Sequence, residues 1–225
     1  MYRGFRSGQL TRQLAKQFLP WVLGLVVLLV VLSRIGSAPS GRAVADYRLG
    51  HRETRYEFGP MMEARGGKVG AELGVKQGSF AATTLEGWPS CEKYYMIDIW
   101  ATQENYVDVA NVPQQVQDKF YLETLGRTKK FEGKRVLLRN FTSDAVQYIP
   151  DSSLDYVYVD ARHDYCGVME DLTLYWPKLK IGGVMSGHDW KYANEVNGQD
   201  WSICGNGSVF PGAVRGAVED FVRNT

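Results

Sequence analysis

The chain has few cysteines, and none of them form a metal-binding pair. Cys91, Cys166 and Cys204 make no CxxC motif, which argues against a zinc-ribbon site. An odd count supplies no disulfide framework. Cys91 and Cys166 read as packing residues, and Cys204, in a polar loop, as either free or paired. Neither GxGxxG nor GK[ST] occurs, which counts against a standard dinucleotide site and a P-loop. The absence of DxD counts against a metal-dependent glycosyltransferase. No internal repeat or low-complexity tract interrupts the 225 residues. Acidic residues are absent from the first 42 positions, which hold Arg3, Arg6, Arg12, Lys16, Arg34 and Arg42. The remainder carries twenty basic against twenty-five acidic residues. Such a mildly acidic body is unsuited to nucleic acid, because phosphate binding needs a basic surface.

The amino terminus has one long apolar run. Phe18–Leu32 reads FLPWVLGLVVLLVVL, without charge and apolar on every side, and Arg34 can snorkel to headgroups so that the run extends to Ile35. This predicts a basic tail over 1–17 and a transmembrane signal anchor over 18–35. A cleaved signal peptide fits less well, since Pro39 follows Gly36-Ser37-Ala38 and Ala43-Val44-Ala45 lies far from the run. The flanking basic residues place the amino terminus in the cytosol and the body in the lumen, a type II arrangement. The short span suits the thin membranes of the endoplasmic reticulum or Golgi. Residues 36–60, rich in Gly, Ser, Pro and Arg, read as a stem with little structure of its own, and 61–225 as the catalytic domain.

From Lys68 onward, short apolar runs alternate with helical patterns. Strands are expected at Lys68–Leu73, Tyr94–Ile99, Arg135–Leu138, Leu154–Val159 and Gly183–Ser186. Helices are expected at Ser79–Leu85, Pro113–Leu125, Ser143–Tyr148, Tyr165–Leu179 and Ala213–Val222. This alternation predicts an α/β fold of Rossmann-like type: a doubly wound, mostly parallel sheet with helices on both faces. Ligands of such sheets sit beyond the carboxyl ends of the strands, so the residues just after each strand carry the functional signal.

After the first strand, Glu72-Leu73-Gly74-Val75-Lys76-Gln77-Gly78 offers two glycines where backbone can approach a ligand closely. After the second, Asp98 is placed to accept ribose hydroxyls, as acids at this position do in nucleoside-binding sheets. After the third, Ser143 and Asp144 either reach an adenine edge, or Thr142 or Ser143 simply caps the short helix. After the fourth and fifth come Asp160-Ala161-Arg162-His163-Asp164 and Gly187-His188-Asp189-Trp190. These are two His/Asp pairs at neighbouring strand ends.

The stretches VGAELGVKQGSFA, YYMIDIW, LDYVYVDARHDY and GGVMSGHDW resemble the class I S-adenosylmethionine-dependent methyltransferases. Within that class they resemble the family-24 group that includes macrolide-sugar and cephalosporin O-methyltransferases. The likeness covers about Arg65 to Arg223. It implies that the Gly74–Gly78 loop, with Glu72, holds the methionine part of S-adenosylmethionine and that Asp98 holds its ribose. It also implies a divalent metal, Mg²⁺ or Mn²⁺, on Asp160 and Asp189 with His188 as a further ligand. His163 is then the general base that deprotonates a sugar or small-molecule hydroxyl, beside Asp160.

Two features sit awkwardly with that expectation. Class I enzymes end with an antiparallel strand pair, and this chain shows none after its last helix, so either the sheet is completed differently or the chain is a fragment. Asn140-Phe141-Thr142 and Asn206-Gly207-Ser208 are glycosylation sequons, and a glycan on Asn140 would crowd the nucleoside pocket. A non-catalytic, membrane-tethered module that kept the fold is the alternative reading. Trp100, Trp190 and Trp201 read either as a sugar-stacking wall or as core and loop anchors.

Overall fold

The computed structural model describes the backbone of residues 29–37 and 43–50 and the whole of residues 55–225. Two strands, β1 (Leu29–Ser37) and β2 (Ala43–Gly50), form an antiparallel hairpin. Helix α1 (Phe58–Ala64) then leads into β3 (Val69–Leu73), α2 (Ser79–Gly87), β4 (Lys93–Asp98), α3 (Gln114–Arg127) and β5 (Arg135–Arg139). The chain continues through α4 (Thr142–Ala145), β6 (Leu154–Val159), α5 (Tyr165–Tyr175), β7 (Leu179–Gly187) and α6 (Ala213–Asn224). Strands β3 to β7 are mutually parallel, and the sheet runs β2-β1-β7-β6-β3-β4-β5.

All five expected parallel strands form. Both faces of this sheet are buried, so its strands read as apolar throughout, yet period-two alternation still sorts their side chains. Tyr94 and Met96 of β4, with Tyr156 and Tyr158 of β6, pack with Phe58, Met62, Phe80, Leu85 and Trp88 from α1, α2 and the turn that follows. Tyr95, Ile97, Val157 and Val159 face the other way, onto Val168 and Leu172 of α5 and Val214, Val218 and Phe221 of α6. The expected helix over 165–179 ends at Tyr175 and continues as one 3-10 turn through Lys178. Pro177 causes this, because it has no N–H to donate back along the helix.

The chain passes β3, β4, β5 in one direction and returns to β6 and β7 on the far side of β3. Neighbouring strands β3 and β6 therefore send their connections opposite ways, and the crevice between their carboxyl ends is where this topology binds ligands.

The amino-terminal expectations need correction. Leu29–Ser37, assigned above largely to a membrane helix, is a strand, and Ala43–Gly50, assigned to an unstructured stem, is its partner. Residues 1–28 lie outside the described residues. Among the described residues, no helix is long and apolar enough to cross a membrane. The physical reason is the free edge of β7, whose N–H and C=O groups need partners. The run rich in Leu and Val has the β propensity to supply them. Pairing places Leu32 opposite Met185 and Ser33 opposite Val184. The sheet is thus completed from the amino-terminal side, the different completion offered above as one of two alternatives.

Cys166, read as a packing residue, and Cys204, read as free or paired, form a disulfide across 38 residues, and Cys91 is the free, buried thiol. Spacing alone could not reveal the link, since it joins the first turn of α5 to a distant loop.

Ser33 pairs with Asp46 on one side and Val184 on the other. Proline there removes a ladder hydrogen bond from an interior strand. Ser33→Pro should lower Tm by roughly 5–10 °C. An unchanged thermal melt would show that this hairpin does not complete the sheet.

Candidate active site

A cleft of about 560 Å³ opens over the carboxyl ends of β3, β4, β5, β6 and β7. At its floor the turn after β3 approaches the turn after β6 with no room for a side chain. A Cβ on Gly74, whose φ is +86°, would lie 1.9 Å from the Asp160 carbonyl oxygen. Glycine is therefore obligatory at 74. Gly78, with φ of +71°, starts α2 in the same left-handed conformation.

Asp98 braces that turn. Its Oδ2 accepts the Val75 and Lys76 amides at 2.9 and 2.8 Å, and its Oδ1 accepts the Trp100 amide at 2.8 Å. Burial pushes its carboxyl up against the opposing pull of these three bonds. The expectation of a carboxylate free for two ribose hydroxyls therefore needs adjustment. Oδ1, with one bond made, keeps the capacity for one more. Glu72 also lines the cleft, but it is 1% exposed, and its Oε2 accepts the Tyr94 hydroxyl at 3.2 Å. Burial drives its carboxyl well upward. Ser143 lines the cleft, whereas Asp144 is exposed and outside it. Asp171, which no strand-end pattern singles out, lines the cleft from the second turn of α5.

A cluster of carboxylates and imidazole lies between β6 and β7. Asp160, His163 and Asp189 bring one ligand atom each within 4.8 Å of one another. His163 Nε2 is 3.4 Å from both Asp160 Oδ1 and Asp189 Oδ2. Asp189 takes a left-handed backbone, φ 58°, a conformation that aspartate tolerates better than most residues. His188 lines the cleft but turns aside, with Nδ1 on Asp189 Oδ2 at 2.7 Å. The nitrogen that faces the two carboxylates is thus Nε2 of His163, where His188 had been expected. Two carboxylates suit a divalent cation that prefers oxygen ligands, and a neutral imidazole beside them can accept a proton.

Three supports of His163 were invisible in the sequence. Asp108 Oδ2 lies 2.9 Å from Nδ1, and the same oxygen accepts Trp201 Nε1 at 2.8 Å. The Tyr106 hydroxyl lies 3.0 Å from Nδ1, and the Trp201 ring packs 4.5 Å from the imidazole. A proton on Nδ1, directed at Asp108, leaves Nε2 facing Asp160 and Asp189. Burial pushes the imidazole down, but the bonds to Asp108 and Asp160 and the charges of Asp160 and Asp189 outweigh it and hold the pKa at about 10. Burial opposes ionisation of Asp108 as well, yet the His163 bond and charge bring its pKa to about 2. Trp201 is 3% exposed and Trp100 fully buried, so neither offers a stacking face. Both are anchors, the second reading given above.

Arg55, hidden in the supposed stem, also reaches the cleft. Its Nη1 donates to Asp160 Oδ2 at 3.3 Å, and its guanidinium lies 5.5 Å from the Phe80 ring centre.

A family model described as a methyltransferase domain, family 24, matches residues 71–190. That segment runs from β3 to just past Asp189. No curated protein matches the chain in sequence. Among solved structures, one from Corynebacterium glutamicum is similar at TM-score 0.50 and 12% identity, covering 76% of this chain and 69% of that one. An O-methyltransferase from Bacillus cereus in complex with S-adenosylhomocysteine gives 0.49 and 14%, covering 76% and 67%. The O-methyltransferase TomG from Streptomyces achromogenes, involved in tomaymycin synthesis and solved with S-adenosylmethionine, gives 0.46 and 13%, covering 62% of this chain and 56% of that one.

Asp171 makes stability depend on pH. Burial raises its carboxyl to about 7 from 3.8. Between these values the fold keeps a proton that the unfolded chain has released, so stability falls as pH rises, and the loss is complete above about 7. Asp171→Asn removes this titration. The variant should gain on the parent from pH 5 to 7 and stay ahead at pH 8, by on the order of 1–4 kcal/mol. Thermal melts across that range check it, and a gap that does not widen with pH would refute the assignment.

Proposed function

The chain belongs to this methyltransferase family, whose enzymes use S-adenosylmethionine, and from that premise we propose that it methylates a hydroxyl oxygen on a sugar or other small-molecule acceptor. The observation that carries this reading is the convergence of Asp160, His163 and Asp189 in the same cleft as the Gly74 turn. An oxygen acceptor and a sulfonium methyl can then meet over the ends of β6 and β3.

In this reading the acceptor oxygen attacks the methyl carbon in line. The new O–CH₃ bond forms as the S–CH₃ bond breaks, S-adenosylhomocysteine leaves, and the hydroxyl proton passes to Nε2 of His163. A divalent cation bound by Asp160 and Asp189 would lower the pKa of the hydroxyl and orient it. Asp108 fixes the ring and its tautomer, and it stabilises the imidazolium that forms. Base catalysis requires a neutral ring. Positive charge held between Asp160 and Asp189 would offset the carboxylates that otherwise keep His163 protonated. Gly74, braced by Asp98, holds the backbone close to the methionine part, and Asp98 Oδ1 takes a ribose hydroxyl. Most of the rate gain in such a site comes from holding nucleophile and methyl close and aligned.

The same reading places the body in an oxidising compartment of the secretory pathway. The Cys166–Cys204 link supports it, since disulfides persist in oxidising compartments.

Calorimetric titration of the chain with S-adenosylmethionine should give micromolar binding, weakened at least tenfold in Gly74→Ala. A folded protein that binds neither S-adenosylmethionine nor S-adenosylhomocysteine would overturn the enzyme reading in favour of a non-catalytic module. With an acceptor in hand, His163→Gln should lower kcat by about 10²–10⁴ while leaving cofactor affinity within about threefold. Loss of cofactor binding in that variant would instead place His163 in the cofactor site.

A further inference from the structure

Four Arg or Lys side chains line the cleft, and three of them are committed within the protein. Arg55 donates to Asp160, while Arg162 donates to Asp164, to Gln103 and to Asn105 O. The Lys76 ammonium lies 5.9 Å from the centre of the Phe120 ring. Lys191 is the exception. It is half-buried, and its backbone carbonyl accepts the Arg215 amide. Its ammonium makes no hydrogen bond or ion pair among the described residues and shares only a long-range field with Asp189.

Two side-chain amides of the same cleft have the same surplus. Gln199 Oε1 accepts the Val109 amide, and Gln103 Oε1 accepts the Arg162 guanidinium. These donors fix which end of each amide is the oxygen. Both NH₂ groups are left without a partner among the described residues. The nearby acids are the reverse. Asp108, Asp160 and Asp189 each already meet a donor from the protein. What the walls around His163 have to spare is therefore donors, one of them charged. A neutral sugar hydroxyl both donates and accepts, whereas an anionic oxygen asks for donors alone.

We propose that the acceptor is an acidic molecule, whose hydroxyl is methylated while a carboxylate, sulfate or phosphate on the same molecule is held by Lys191 Nζ. This rests on the methyltransferase reading above and narrows its acceptor class. Lys191 stands two residues after Asp189. An anion bound to it lies at the same strand end as the hydroxyl that faces Asp189 and His163. The free NH₂ groups of Gln103 and Gln199 supply uncharged donors to the rest of the acceptor. Lys191 moves no proton in this scheme. It sets which molecules are held long enough to react, and a site built to bond a charged group discriminates against analogues that lack it.

The test titrates the full chain, loaded with S-adenosylhomocysteine, with matched sugars and reads Kd by NMR. Methyl glucuronoside is compared with methyl glucoside, and glucose 6-sulfate and glucose 6-phosphate with glucose. At least one acid should bind about tenfold or more tightly than its neutral counterpart, the scale of a charge-assisted hydrogen bond. The acid that does so identifies the anion. Lys191→Ala should bring that ratio to within about threefold and leave S-adenosylhomocysteine affinity within about twofold. Lys191→Arg should keep the preference, and Lys191→Gln serves if the alanine variant fails to fold. A lysine that acted only as a counter-charge to Asp189 would shift acidic and neutral sugars together and leave the ratio alone. Equal binding within every pair, no binding of any sugar, or a ratio that persists without the lysine would overturn the assignment and leave the methyltransferase reading standing. A folded parent that does not bind S-adenosylhomocysteine would overturn both.

Discussion

The close approach of Gly74 to Asp160 is the constraint on which the site depends. The Gly74 amide donates to Ile97 O at 2.9 Å, and the Asp160 amide donates to Leu73 O at 2.8 Å. The turns after β3 and β6 are thereby locked to β4 and to each other. With no side chain at 74, the backbone of the first turn lies against the carbonyl of the second. This contact brings the close-approach turn of β3 and the reactive carboxylate of β6 into one cleft. The bonds from Asp98 to Val75 and Lys76 hold the turn from its other side. A side chain at 74 would push the turns after β3 and β6 apart.

Electrostatics follow from that geometry. Strand ends from β3, β4, β6 and β7 bring Glu72, Asp98, Asp160 and Asp189 to one cleft. The fold meets the resulting repulsion in different ways. Glu72 is buried beneath Tyr94, where its carboxyl is driven towards the neutral form. Asp98 is given three amides. Asp160 lies against Arg55 and His163. The inner pair, Asp160 and Asp189, is left facing His163, an arrangement that suits either a metal ion or an imidazolium.

The parallel sheet was legible in the sequence because its strands are buried on both faces and its helices are amphipathic. These signals depend on neighbours a few residues apart. Gly74, Asp98, Asp160, His163 and Asp189 stood out because a parallel sheet sends its ligand-facing residues to fixed positions just after each strand. Asp108, Tyr106, Trp201, Arg55 and Asp171 did not stand out. Asp108 and Trp201 are 93 residues apart and meet only when two loops fold over the strand ends. Asp171 lies inside a helix, where one buried acid among apolar residues has no periodic signature. The apolar run near the amino terminus misled for a different reason. Leu and Val suit lipid and sheet equally, and only the open edge of β7 tells which environment Leu29–Ser37 takes.

The loops that cap the strand ends act as one unit. Val107 bridges to Asp200, Gln199 accepts the Val109 amide at 2.8 Å, and Asn105 donates to Gly205 O at 3.1 Å. Arg162, one residue before His163, reaches into the cap to Gln103 and to Asn105 O. The disulfide ties Cys204 of the cap to Cys166 at the start of α5, so the cap is anchored to the same helix whose N-cap, Asp164, directly follows His163. Movement of the cap would therefore carry Trp201 and Asp108 with it and loosen the imidazole. The sheet sets where the Gly74 turn and Asp160 meet, while the cap lines the cleft beside them with Tyr106, Asp108 and Trp201. Change in these loops could alter the acceptor and leave the Gly74–Asp160 contact untouched, a division that suits a fold whose chemistry stays fixed while its substrates vary.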